Sequence, residues 1–88
     1  MNAVHVIEGT EFERGWGHRP DGYIAFPSED AAMLYIKHYN ERYNSAPSAP
    51  DVYTDYNYIG IKACSARFEE LVASKKLAFF DRFAELLK

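Results

Sequence analysis

The chain has 88 residues, 48% of them apolar or aromatic, with a single cysteine and a net charge of −3. That length holds one compact domain near the small end of what a single core supports. The acidic balance argues against generic nucleic-acid binding, lone Cys64 excludes an internal disulfide and favours a reducing, cytoplasmic setting, and no apolar run is long enough to span a membrane.

Ala3 to Ile7 is short and β-branched, the chemistry of a strand, with Gly9-Thr10 placed to bend or bulge it. Phe12 to His18 alternates weakly and continues extended. The strongest turn signal is Arg19-Pro20-Asp21-Gly22 within GWGHRPDGY. Proline presets φ for a type I turn, and glycine takes the left-handed position that follows, so these residues predict a hairpin reversal. In that register Trp16, His18, Ile24 and Phe26 share one face, with Trp16 packed on the core and His18 at its margin.

Ser28 is a good N-cap, and Glu29 and Asp30 suit the positive end of a helix. Ala32, Tyr35, Ile36, Tyr39 and Tyr43 keep helical spacing and form its buried stripe. Leu34 falls on the polar side and is a candidate exposed contact. Asn44 to Pro50 stops the helix in a stiff proline loop. Tyr53 to Ala63 returns to strand chemistry, and Tyr53, following that loop, is the tyrosine expected to be exposed.

Ser65 opens a second helical region running to Leu87, with the stripe Phe68, Val72, Phe79, Phe83 and Leu86. Lys75 interrupts that stripe, so the chain is expected to bend at Ser74-Lys75-Lys76 and continue as a second, very apolar helix. Leu77, Phe80 and Leu87 then lie off the stripe and become candidates for a partner or self-association surface.

No catalytic constellation emerges. Glu69-Glu70 and Glu29-Asp30 are helix neighbours that do not face each other. His5, His18 and His38 lack metal-ligand spacing, and nothing beside Cys64 marks it as activated. The expected site list is therefore partner-binding only (Tyr53, Leu34, Leu77, Phe80 and Leu87), with no catalytic residue, no cofactor and no metal.

The order GWGHRPDGYIAF, an acid-started helix over Ser28–Tyr43, then Pro50-Asp51-Val52-Tyr53 resembles a pattern in small uncharacterised proteins encoded by phages and prophages. Arg19, Pro20, Gly22 and Tyr23 carry it together with that helix and the PDVY stretch, about the middle half of the chain. The resemblance implies a binder that blocks a host or defence protein, in the manner of an anti-CRISPR, and no catalytic residue.

The expectation is thus one α+β domain over residues 1–88, a three-stranded antiparallel sheet packed against two or three helices. It is expected to be a non-enzymatic protein-binding module, with a protein target or a second copy as partner. The alternative is a nucleic-acid-binding accessory protein. Residues 62–88 hold six bases against four acids, whereas residues 1–61 hold nine acids against four bases, and tyrosines are available for stacking.

Overall fold

A computed structural model describes the backbone of residues 2–13, 17–44 and 52–88. Four strands form one antiparallel sheet among these residues, in the order β3-β1-β2-β4: β1 (Ala3–Glu13), β2 (Gly17–Phe26), β3 (Val52–Ala63) and β4 (Ala78–Phe80). Helix α1 (Glu29–Tyr39), continued by a π-helical turn at Asn40–Asn44, covers one face. Helix α2 (Ala66–Lys75) and a 3₁₀ turn at Phe83–Leu87 cover the other. The fold class is α+β as expected, with a fourth strand added.

Strand alternation builds both cores from β1. Val4 and Val6 point toward α2 and pack with Ala25, Phe68, Val72, Phe80 and Leu86. Ile7 points the other way and packs with Ile24, Phe26 and Ala32. Central strands with both faces covered read as near-continuous apolar runs, which accounts for the sequence of β1. Burying these side chains contributes about 25 cal/mol per Å² of apolar surface removed from water.

The helix on Ser28 forms as its sequence directs. The Ala31 N–H donates to Ser28 Oγ at 3.1 Å, and Ala32 is buried while Tyr35, Ile36 and Tyr39 are half-buried against the sheet. Ser65 caps α2 in the same way, with the Phe68 N–H donating to its Oγ at 3.1 Å. Ser65 also ties down the chain's last turn. Its N–H donates to the Leu86 carbonyl at 2.7 Å, and its hydroxyl donates to the Lys88 carbonyl at 2.9 Å.

The expected hairpin turn at Arg19–Gly22 is corrected. Those residues lie inside β2, where Arg19 pairs with Glu11 and Pro20 with Thr10. β1 ends at Glu13, which pairs with Gly17 at the start of β2, and the packing expected of Trp16 and of the His18 side chain lies outside the described residues. Asp21 and Gly22 both oppose Gly9, which makes them a β-bulge, and Gly22 keeps the positive φ (+93°) that the turn reading required. A bulge and a turn ask the same conformation of glycine, so local chemistry alone does not separate them. Pro20 is tolerated because β4 pairs with β2 only at Tyr23–Ala25, leaving an unpaired edge beside the proline.

The second C-terminal helix is also corrected. The bend is where Lys75 places it, and Lys76 closes α2 in a left-handed conformation (φ 74°). The chain then forms β4 and the 3₁₀ turn instead of a helix. Strand alternation replaces helical spacing, so Phe80 turns into the core at 4% exposure and Phe79, expected to cover the sheet, is left 68% exposed. Phe83, expected on the same buried stripe, is likewise exposed. Among the described residues no helix is long and apolar enough to cross a membrane.

Candidate functional site

The five residues expected to bind a partner are not brought together. Phe80 is core, stacked on Tyr23 at 5.2 Å and meeting Phe68 edge-on at 5.8 Å, so it is withdrawn from the surface. Leu77 is half-buried on the α1 side of the sheet. Leu34 is 53% exposed on α1, and Leu87 is 69% exposed on the 3₁₀ turn. The backbone of Tyr53 pairs with Phe12 in β3, and its side chain lies outside the described residues.

What the fold assembles instead is a groove at the β4 edge, about 330 Å³ in volume. Arg67, Phe68 and Leu71 of α2 line it, with Phe79 and Phe80 of β4 and with Glu85 and Lys88 beyond. Leu71 is partly exposed there, beside the far more exposed Phe79. The Glu85 carboxylate is already engaged, because one oxygen accepts from the Asp81 and Arg82 amides at 2.8 and 2.9 Å. The Arg82 and then the Asp81 amide bonds hold this carboxyl below the usual range. No hydrogen bond or ion pair of the Arg67 guanidinium occurs among the described residues, which leaves Arg67 as an open cation on the groove's wall. On the neighbouring surface, Phe83 packs on Tyr23 at 4.6 Å, and Lys62 Nζ sits 5.9 Å above its ring.

Sequence reasoning missed Arg67, Leu71, Phe79 and Lys88. The available signal was the alternation Ala78-Phe79-Phe80 after two lysines, and three residues are too few to distinguish a strand from a helix.

A second, smaller depression of about 230 Å³ lies on the α1 side, lined by Tyr35, His38, Tyr39 and Arg42. The Tyr56 ring meets both Tyr39 and Tyr35 edge-on, at 4.8 and 5.7 Å. Burial, followed by the nearby Tyr35, Tyr39 and Asp21, pushes the Tyr56 phenol well above its ordinary value. Gly9 makes room for this cluster, since a Cβ there would stand 2.9 Å from the Tyr56 ring. With no side chain on Gly9 between them, the Thr54 hydroxyl donates across β1 to Asp21 Oδ2 at 3.2 Å. These tyrosines make a packed support for α1. A phenol held neutral in this way is poorly placed to act as a base at ordinary pH.

Cys64 is buried, and desolvation, followed by the Glu69 charge, raises its thiol. That is the environment of an inert thiol, since reactivity follows the thiolate. Glu69 itself is engaged, accepting from the Ala3 amide at 2.9 Å and so fastening α2 to β1. His5 and Tyr58 pair through Nδ1 and the phenol oxygen at 2.9 Å. Among the described residues no three His, Cys, Asp or Glu side chains are grouped as a metal site requires. No family model matches the chain, and no curated protein or solved structure matches it.

Proposed function

We propose that the chain is a non-enzymatic protein-binding module that recognises its partner through the groove at the β4 edge. The observation that carries this reading is Phe79, an aromatic side chain 68% exposed beside an apolar groove rimmed by Arg67 and Lys88. Exposed aromatics next to a concave apolar surface supply the anchors of protein interfaces, and leaving them in water forfeits their burial energy. In the setting suggested by the RPDGY and PDVY motifs, the partner is a host or defence protein and binding inhibits it.

The alternative, nucleic-acid binding, draws on the basic residues of the C-terminal third. It is the weaker reading because the groove joins only two cations to an apolar floor, whereas tracking a phosphate backbone takes several.

Capture from host lysate on immobilised wild-type chain, Phe79→Glu and Leu34→Glu tests the proposal. Wild type and Leu34→Glu should retain the same protein as salt rises, and folded Phe79→Glu should lose it. Equal capture by Phe79→Glu contradicts the reading. Nucleic acid released steeply by salt would favour the alternative.

A further inference from the structure

We propose that β4 is a strand-addition site for an extended acidic–apolar segment of the partner protein. The segment pairs along the outer edge of Ala78–Phe80. One of its large apolar side chains enters the groove over Phe68 and Leu71, and a carboxylate two residues along, on the same face of the strand, meets Arg67 at the groove's cationic wall. This inference rests on the reading that the chain binds protein.

Three observations carry it. β4 is the last strand of the sheet, its inner edge pairs with β2 at three positions, and no strand covers its outer edge among the described residues. An unpaired strand edge presents backbone donors and acceptors in register for another chain. The opposite edge, β3, is interrupted by a bulge at Ile59-Gly60, where Gly60 has φ +100°, and bulges break such a template. The groove's lining carries two cations, Arg67 and Lys88, against one carboxylate, Glu85, so it is cationic by one charge. One Glu85 oxygen accepts from two backbone amides and Lys88 lies within reach of its charge, which makes Arg67 the cation that meets a ligand. Strand addition takes its affinity from the main chain and its specificity from alternate side chains, and residues two apart share a face, so the complementary segment carries a large apolar residue and an acid two positions apart, both turned toward α2.

The test selects a display library of random peptides on the full folded chain and then maps the selected peptides by amide chemical shifts. The expected peptides place Asp or Glu two positions from a large apolar residue, and the shifts centre on Ala78–Phe80 and α2. Arg67→Glu should weaken an acidic peptide by about tenfold. Methylating alternate backbone amides of the peptide should abolish binding in one register and spare it in the other. Peptides that map to Met33 and Leu34 on α1, or that are neutral or basic, overturn strand addition while leaving protein binding in place. Enrichment of nothing beyond an unrelated control protein overturns it as well. So does equal sensitivity to methylation in both registers.

Discussion

Gly22 and Gly60 make the same backbone demand in different surroundings. Both have positive φ, at +93° and +100°. A Cβ on Gly22 would stand 3.1 Å from Asp81 Oδ1 and 3.4 Å from the Phe80 carbonyl, whereas one on Gly60 meets nothing within 4 Å. Gly22→Val should therefore cost about 1–3 kcal/mol from left-handed strain, with crowding against the β4 end added. Gly22→Ala should cost more than Gly60→Ala, and chemical denaturation of the two variants measures the difference. Equal losses would show that the space around Gly22 is irrelevant.

Tyr56 gives the pH prediction at the same scale. Its folded pKa stands above the unfolded tyrosine value of about 10. The neutral phenol therefore contributes stability that is present below that pH and is lost as pH rises beyond it. Burial also raises the Tyr58 phenol, so ultraviolet titration of the folded chain should show phenols that ionise later than free tyrosine, and Tyr56→Phe should remove the later part of that change. The variant should also lose stability less steeply than wild type above about pH 10.

At the scale of elements, Lys76 decides the C-terminal third. It sits in the left-handed conformation after α2, where a glycine would carry no Cβ penalty. Lys76→Gly should stabilise the chain by about 1 kcal/mol. A loss of stability on thermal unfolding would mean that the lysine side chain makes a contact outweighing its backbone strain. The two helix starts were legible because Ser28 and Ser65 each announce a cap three residues ahead of the amide they accept from. The bend at Lys75 was legible because a lysine in an apolar stripe conflicts with burial. β4 was not legible. It has three residues, its Phe-Phe doublet satisfies either period, and its pairing with β2 is a long-range contact that no local pattern encodes. The Arg19–Gly22 stretch failed for a related reason, since proline, aspartate and glycine suit a bulge as well as a turn.

At the scale of the molecule, a sheet covered by α1 on one face and by α2 with the 3₁₀ turn on the other leaves its ends and edges for recognition. Leu34 and Leu87 were recognisable from spacing as apolar residues without a place in the core, and both are exposed. Phe79 and Phe80 exchange their expected roles because their burial depends on one choice, strand or helix. The groove beside them joins residues from α2, β4 and the last turn, which only the folded chain brings together. The neighbouring pair Phe79→Glu and Phe80→Glu therefore tests the central claim most directly, by thermal unfolding of each. Phe79→Glu should melt within a few degrees of wild type, since exposed substitutions usually fall within about 0.5 kcal/mol. Phe80→Glu should leave the chain largely unfolded, because it buries an unpaired charge between Tyr23 and Phe68. The opposite pattern, with Phe80→Glu folded and Phe79→Glu unfolded, would contradict β4 and the recognition surface built on it.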